Sequence, residues 1–158
     1  MSRLLQRSTT LSIAAAIVLI DQLSKAGLSA ILVDGQSIPA IPGILSLQLV
    51  HNSGAAFSLF SRSTELLGLL SLLVSLGILV WIGRQRAIPF WQGLATACLL
   101  GGTLGNGLDR WRLGYVVDFL ALVPINFPIF NGADIAINLA VLCFGIDLWL
   151  NRHDGDHA

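Results

Sequence analysis

The sequence is poor in charge and has only two cysteines. Of its 158 residues 11% are charged, and nine basic against nine acidic side chains give a formal net charge of zero. A neutral chain offers no electrostatic reason to expect nucleic acid as a partner. The two cysteines, Cys98 and Cys143, lie inside apolar runs. There a cysteine is ordinarily a small buried hydrophobe, so we expect neither a disulfide nor a metal cluster.

Histidine is also too scarce to suggest zinc. His153 and His157 lie in a polar C-terminal tail, and His51 has no partner at ligand spacing. We therefore expect no metal and no other cofactor. The chain shows no internal repeat, and at this length a single domain over residues 1–158 is the default.

What the chain has in abundance is apolar sequence. Hydrophobic residues make up 54% of it, a composition typical of membrane proteins. Four segments approach the roughly 20 apolar residues that a helix needs to cross a bilayer: 10–32, 64–83, 91–109 and 131–150. The predicted fold class is a polytopic α-helical membrane protein with four transmembrane helices and a small extracytoplasmic region of sheet and loop.

The first of these segments could be taken for a cleavable signal peptide, because arginines precede an apolar stretch. Asp21 and Lys25 interrupt the stretch, and three further spans follow it. We therefore expect a retained helix.

The arginines predict the orientation. They divide five to three across the predicted spans: Arg3, Arg7, Arg84, Arg86 and Arg152 on one side, Arg62, Arg110 and Arg112 on the other. By the positive-inside rule both termini are cytoplasmic. The segments 33–63 and 110–130 then face outward.

The two outward segments have extended character. In "ILSLQLV", residues 44–50, leucines alternate with polar residues, as in a strand with one buried face. A turn is predicted at residues 51–54 and a second strand at "AAFSLF", residues 55–60. Pro124 and Pro128 prevent a continuous helix in the second outward segment.

The predicted topology brings most polar groups near the spans to one depth, at the outer face. The helices contribute Asp21, Lys25, Asn106, Asp109, Arg110, Asn131, Asp134 and Asn138, and the outward segments contribute Asn52 and Asp118. Ionisable residues within spans are site candidates by default. Scattered structural polarity would not predict such layering.

Each residue also has a structural interpretation. Asp21 and Lys25 are four apart on one helical face, so they could neutralise each other. Asp109 could pair with its neighbour Arg110 at the membrane interface. His51 is interpreted as a turn residue.

The fourth span allows similar structural roles. Asp134 could cap its own helix, and Asn138 could form an interhelical hydrogen bond. Asp147, near the inner end, is expected to reach the cytoplasmic interface.

Asp118 is harder to explain structurally, because its neighbours Val116, Val117, Phe119 and Leu120 offer no basic partner. If Asp118 and Asp134 face each other, proximity and partial burial would split their titration. One would stay ionised and the other protonated, as in aspartic hydrolases. The sequence alone does not show that the 15 intervening residues bring them together.

Five ordered motifs closely resemble the lipoprotein signal peptidase (signal peptidase II) family: "DQLSK" at 21–25, "NSGAAFSLF" at 52–60, "GNGLDR" at 105–110, "GYVVDF" at 114–119 and "FNGADIAIN" at 130–138. The resemblance covers about residues 10–150. It implies an intramembrane aspartic endopeptidase that removes the signal peptide of a diacylglyceryl-modified prolipoprotein, cutting before the lipid-modified cysteine.

The same resemblance implies that Asp118 and Asp134 form the catalytic dyad. Residues implied to support the dyad or the substrate are Asp21, Lys25, Asn52, Asn106, Arg110 and Asn131, and we add Gly54, Asp109 and Asn138 from their positions. The expected partners are prolipoproteins and membrane lipids, and the expected location is the bacterial cytoplasmic (inner) membrane. We expect a monomer.

Three other functions fit the sequence less well. A transporter or proton channel would need polar groups through the full membrane thickness, whereas the inner halves of the spans are almost purely apolar. A serine–lysine peptidase could use only Ser29 with Lys25, and Asp21 would keep that lysine protonated. A non-enzymatic scaffold does not account for the layered polar residues.

Overall fold

The computed structural model describes residues 4–33, 35–54 and 64–154, apart from the side chains of 153 and 154. The predicted strand at 55–60 lies outside the described residues. Four helices occur at the predicted segments: α1 Arg7–Ile31, α2 Thr64–Arg84, α3 Phe90–Leu113 and α4 Gly132–Asp154. The strands are β1 Leu4–Gln6, β2 Ser37–Ile41, β3 Leu45–Asn52, β4 Ala87–Pro89 and β5 Val116–Leu122.

The helices form a bundle in which α3 contacts each of the other three. Three helices, α1, α2 and α4, are long and apolar enough to cross a membrane. The fourth, α3, has a similar length, but most of its buried residues are small or polar, among them Gly93, Ala95, Ala97, Gly101 and Gly105. A central helix that packs on neighbours through small residues needs less apolar surface than a helix that faces lipid.

Glycines let α3 approach α4 closely. A Cβ atom at Gly102 would lie 2.5 Å from the Ala133 carbonyl oxygen and 2.7 Å from Ile137 Cγ1. Both neighbours belong to the first turns of α4, so a larger residue would push the two helices apart.

We expect Gly102→Ala to lower the free energy of unfolding by about 1–3 kcal/mol, the usual cost of overpacking. Thermal unfolding in detergent measures the change. Gly77→Ala in α2 is the matched control, because its Cβ would meet nothing within 4 Å. Equal melting temperatures for the two variants would contradict the close packing of α3 on α4.

Both sheets are antiparallel, and they lie at opposite ends of the bundle. At one end β2, β3 and β5 form a three-stranded sheet in that order, and we call this the sheet end. At the other end β1 pairs with β4, which ties the start of the chain to the α2–α3 connection. Because successive helices alternate in direction, the start of α1 and the end of α4 both lie at the β1–β4 end of the bundle.

The strand predictions are partly right. The strand predicted at "ILSLQLV" is confirmed by β3 from Leu45 onward, and the second outward segment is extended over β5. The predicted alternation of burial is wrong at its start, because Ser46 is buried while Leu45 and Leu47 are half-buried. The predicted turn at 51–54 is wrong for His51 and Asn52, because β3 continues through both while pairing with β5. His51 also packs on the Tyr115 ring, with centroids 4.5 Å apart. Strand β2 was not predicted; it contains Pro39 and forms the sheet's edge, where proline is tolerated.

Candidate active site

Asp118 lies in β5, where it is 2% exposed. Its partner in the register is Val50 of β3, and Asn52 is the diagonal neighbour on the same face. Asn52 Nδ2 donates a hydrogen bond of 2.8 Å to Asp118 Oδ2, while Asn52 Oδ1 accepts from the Gly54 amide at 3.0 Å. The sheet register therefore positions an amide donor on the carboxylate.

A single bridge between Leu120 and Phe130 closes the gap from β5 to α4. The Phe130 amide donates to the Leu120 carbonyl at 3.0 Å, and the Leu120 amide donates to the Phe130 carbonyl at 2.8 Å. The intervening loop thus returns to β5, and the next residue, Asn131, is fully buried beside Asp118.

Asn131 and Asp134 form a reciprocal cap at the start of α4. The Asp134 amide donates to Asn131 Oδ1 at 3.0 Å, and the Asn131 amide donates to Asp134 Oδ2 at 3.2 Å. This is the geometry of a capping box, in which the N-cap residue and the residue three positions later satisfy each other. The capping interpretation of Asp134 is therefore confirmed, and the cap also fixes the direction of its carboxylate.

Asn131 also connects the two aspartates. Its Nδ2 donates to Asp118 Oδ1 at 2.6 Å while its backbone amide donates to Asp134. Both carboxylates line one cavity of about 870 Å³ at the sheet end. The two aspartates, which are separated by 15 residues in the sequence, thus share a bridging residue and line one accessible cavity.

Burial dominates the electrostatics of Asp118. Desolvation raises the pKa of its carboxyl from 3.8 to about 6. The Asn52 hydrogen bond opposes this by stabilising the ionised form, and the nearby charge of Asp134 raises the pKa further. A carboxyl with this pKa exchanges its proton close to neutral pH.

Lys25 holds the network behind the dyad. Its Nζ lies 2.8 Å from Asp21 Oδ2, 2.8 Å from Asp109 Oδ2 and 3.0 Å from Asn106 Oδ1. Asn106 connects Lys25 to the dyad, because its Nδ2 donates a hydrogen bond of 2.8 Å to Asp134 Oδ1. The Asp21–Lys25 pair is confirmed, but the interpretation of Asp109 as a partner of Arg110 is wrong. The Asp109 side chain points from α3 towards α1, where it pairs with the buried Lys25 ammonium.

Asp21 also caps a different helix from its own. Its Oδ1 accepts a hydrogen bond of 2.9 Å from the Ala133 backbone amide, at the positive N-terminal end of α4. A Cβ at Gly105 would lie 2.7 Å from Asp21 Oδ2, so only glycine admits the carboxylate there. Asp21 therefore fixes α4 relative to α1.

Arg110 joins α3 to the first outward segment. Its Nη2 donates to the Gly54 carbonyl at 3.2 Å, and its Nη1 lies 3.4 Å from the Asn106 carbonyl. The buried Nε has no hydrogen-bond partner among the described residues. The guanidinium lines the dyad cavity with donor capacity unused.

The expectation for Asn138 is wrong. Asn138 makes no interhelical bond within the described ranges; its Nδ2 donates to the Asp134 carbonyl at 2.8 Å, and the exposed side chain lines the dyad cavity. Asp147 is buried within the bundle, at 7% exposed. It accepts hydrogen bonds from Gln92 at 2.9 Å and Asn151 at 3.2 Å, and these amides account for its burial.

Sequence reasoning missed Gln22. Its Nε2 donates to Asp109 Oδ1 at 2.9 Å and to the Gly105 carbonyl at 3.1 Å, so it links α1 to α3 beside the lysine. An amide inside an apolar span next to Asp21 was an available signal. As for metals, no three His, Cys, Asp or Glu side chains of the described residues converge as a metal site requires.

The chain is similar in sequence to known proteins. The model of the family described as signal peptidase (SPase) II matches residues 13–150. A lipoprotein signal peptidase of Parasynechococcus marenigrum (strain WH8102) is 60% identical, with 98% of each chain covered. One of Synechococcus sp. (strain RCC307) is 56% identical over 85% of this chain and 89% of its own.

Solved structures show the same fold. A bacterial membrane enzyme determined by the in meso method at 2.3 Å superposes with a TM-score of 0.89 at 26% identity, covering 100% of this chain and 98% of the other. A second, at 1.9 Å, gives 0.80 at 28% identity, covering 89% and 92%. The chain therefore belongs to the signal peptidase II family of membrane proteases, enzymes that remove signal peptides from prolipoproteins.

Proposed function

We propose that this protease is an aspartic endopeptidase with Asp118 and Asp134 as its catalytic residues. It cuts diacylglyceryl-modified prolipoproteins immediately before the lipid-modified cysteine. The observation that carries the proposal is the bridge through Asn131, which holds both carboxylates at one cavity. No other pair of carboxylates among the described residues combines that bridge with access to the cavity.

The pair has the groups that hydrolysis needs. One ionised carboxylate takes a proton from water as the hydroxyl oxygen bonds to the scissile carbonyl carbon, and the protonated partner donates its proton to the carbonyl oxygen. When the C–N bond breaks, a proton is returned to the departing amine. Each carboxylate oxygen accepts one amide hydrogen bond and keeps a lone pair for this exchange.

This mechanism predicts a pH dependence with a definite sign. The pKa of Asp118 is raised to about 6, so lowering the pH through that value protonates both members of the pair. We expect kcat/KM to fall on the acid side with a midpoint near 6, a property of the pair rather than of one residue.

Asn52→Ala removes the hydrogen bond that stabilises ionised Asp118. The acid limb of kcat/KM should therefore move to higher pH, while activity at the optimum falls less than activity at pH 6. Gln48→Ala, on the same strand but away from the cavity, should leave the profile in place. A profile for Asn52→Ala that coincides with that of the unsubstituted enzyme would refute this role for Asn52.

The cavity suits a substrate that enters from the membrane. Beyond Asp134 it continues along α4 past Ile135, Leu139 and Leu142, with Asn138 as a polar side chain among them. Burial of acyl chains and of an apolar signal helix supplies binding free energy without charge. The Arg110 guanidinium, which lines this cavity, donates to a substrate carbonyl at the polar mouth.

For topology, we propose that α3 spans the membrane together with α1, α2 and α4, as one domain. Both termini are cytoplasmic, residues 33–63 and 110–130 lie outside, and the membrane is the bacterial inner membrane. The arginines at the β1–β4 end support this orientation, since Arg7, Arg84, Arg86 and Arg152 lie there. The enzyme acts as a monomer and contacts membrane lipids.

Labelling with a membrane-impermeant thiol reagent on intact cells tests this orientation. In a background without Cys98 and Cys143, cysteines at Gln36 and Val123 should react and one at Arg86 should not. All three positions are on connections between helices. Reaction at position 86 alone would invert the topology.

The proposed activity is tested by mass spectrometry of the products that purified enzyme forms from a lipid-modified prolipoprotein. We expect one cut, with the diacylglyceryl cysteine at the new N-terminus. The same precursor without the lipid should be cleaved far more slowly, because the apolar part of the cavity would be unfilled. A cut elsewhere, or equal rates for both precursors, would reject the proposed specificity.

The geometry opposes the serine–lysine alternative. All three Lys25 ammonium protons have close partners in Asp21, Asp109 and Asn106. Ser29 is not among these partners, so the lysine is not placed to take a proton from the serine hydroxyl.

A further inference from the structure

A second cavity, of about 490 Å³, lies at the sheet end between α1, the end of α3 and the sheet. Its sheet residues Leu49 and Val117 alternate along their strands with Val50 and Asp118, which line the dyad cavity. Because successive side chains of a strand point to opposite faces, the second cavity lies on the other face of the sheet. The proposed peptidase chemistry makes no use of it.

The buried charges in its wall are already satisfied. Lys25 has its three partners, and Asp109 accepts from Gln22 on one oxygen and from Lys25 and the Val117 amide on the other. Asp21, on the far side of Lys25 from the cavity, accepts a hydrogen bond from the Ala133 amide at the positive end of α4. The charged groups of this cluster are therefore paired with one another, and neither an anionic nor a cationic ligand would find an unpaired charge among them.

Arg112 is the exception. Its side chain is exposed on the cavity wall, and its one hydrogen bond among the described residues is a 3.5 Å contact from Nη1 to Gln22 Oε1. At that distance the contact is weak. Most of the planar guanidinium fork remains available, in a cavity that also presents Ser29, His51 and Tyr115.

Apolar surface adjoins this cation. On α1, Leu23 and Leu19 lie about one and two turns before the cavity residue Ala26, and their side chains are 63% and 59% exposed. They lie within a helix apolar enough to cross a membrane. A ligand that fits both features has a phosphate for Arg112 and hydrocarbon for the α1 surface, a combination that free phosphate lacks.

We propose that the second cavity binds a membrane phospholipid, with its phosphate on Arg112 and its acyl chains along Leu19 and Leu23. Guanidinium matches phosphate through two parallel hydrogen bonds. The site is distinct from the dyad and does not rest on the proposed mechanism.

Native mass spectrometry of the full chain in nonionic detergent tests this site. Titration with dioleoyl phosphatidylglycerol should show one preferred lipid, and dioleoylglycerol, which has the same chains but no phosphate, should bind much more weakly. Arg112→Gln should weaken the preferred binding roughly tenfold, since a charge-assisted hydrogen bond contributes about that factor. Arg84→Gln, an exposed arginine at the β1–β4 end, is the matched control and should bind as the unsubstituted protein does.

A second variant guards against misfolding of the first. Ser29→Trp retains Arg112 but fills the cavity, so it should cause a similar loss of binding. Undiminished binding in both Arg112→Gln and Ser29→Trp would overturn the site. If millimolar inorganic phosphate displaced the bound phosphatidylglycerol as effectively as free phosphatidylglycerol does, the assignment to a phospholipid would be overturned.

Discussion

Asp118→Asn and Asp134→Asn should each reduce cleavage of a lipid-modified prolipoprotein by at least about 100-fold, the lower range for loss of a general acid or base. Asparagine has nearly the shape of aspartate but neither takes up nor releases the proton. Because the two carboxylates act as a unit, the double variant should be scarcely slower than either single one. The rates are measured with enzyme in excess over substrate, so that one turnover suffices.

These losses should occur in folded protein. Each substitution turns one carboxylate oxygen into a donor and so disturbs one of two amide hydrogen bonds, from Asn52 or Asn131 at Asp118. That costs about 1 kcal/mol, partly offset because an amide is easier to bury than a carboxylate.

Asp147→Asn is the control for these variants. It too is a buried aspartate on α4, but it lies 13 residues beyond Asp134, or roughly 20 Å along the helix. Both of its described hydrogen bonds reach the same oxygen, so an amide oxygen can replace it. Full activity is expected, and an inactive Asp147→Asn would remove the contrast between the two ends of the bundle.

Lys25→Met should have the largest effect on stability. The side chain is 3% exposed and lies between Asp21 and Asp109, themselves 1% and 3% exposed. Methionine keeps much of the volume but leaves two buried carboxylates without a counter-charge. Breaking a buried pair in this way costs about 3–5 kcal/mol. Thermal unfolding in detergent should show the loss, and the yield of folded protein should fall with it.

A compensating variant separates charge from packing. Adding Asp109→Asn to Lys25→Met removes one of the uncompensated carboxylates, so the double variant should regain part of the stability. Arg152→Met, an exposed cation on α4, should melt as the unsubstituted protein does. If the double variant is no more stable than Lys25→Met alone, the charge cluster is not what Lys25 stabilises.

Much of the fold could be predicted because its signals are local. Apolar runs of helical length marked all four helices, and the alternating "ILSLQLV" run marked β3. The short strands were harder. In β1 and β4 three residues pair across more than 80 positions of sequence, and no periodicity in so short a run distinguishes a strand from a loop end.

The candidate site was predictable as a set of residues but not as a set of contacts. Depth along each helix could be counted, so the polar groups could be assigned to one end. Which side chain meets which depends on helix rotation and close packing. Asp109 reaches Lys25 across the α1–α3 contact instead of pairing with its neighbour Arg110, because glycines such as Gly101 and Gly105 bring the helices together.

The meeting of Asp118 and Asp134 depends on a feature with even less local signal. The single Leu120–Phe130 bridge returns the chain to β5 after two prolines. The residues between Leu120 and Phe130 carry no local signal for this pairing. The pairing depends on the free edge of the sheet that β5 provides.

The most direct test of the aspartic mechanism compares Asp118→Asn with Ser29→Ala in one cleavage assay, with products identified by mass. Among the described serines, Ser29 is the candidate nucleophile of the rival mechanism, because it lines the second cavity together with Lys25. We predict that Ser29→Ala releases the signal peptide at the rate of the unsubstituted enzyme while Asp118→Asn yields no product in the same time. Cleavage by Asp118→Asn at near the unsubstituted rate, with an inactive Ser29→Ala, would contradict the assignment of the dyad.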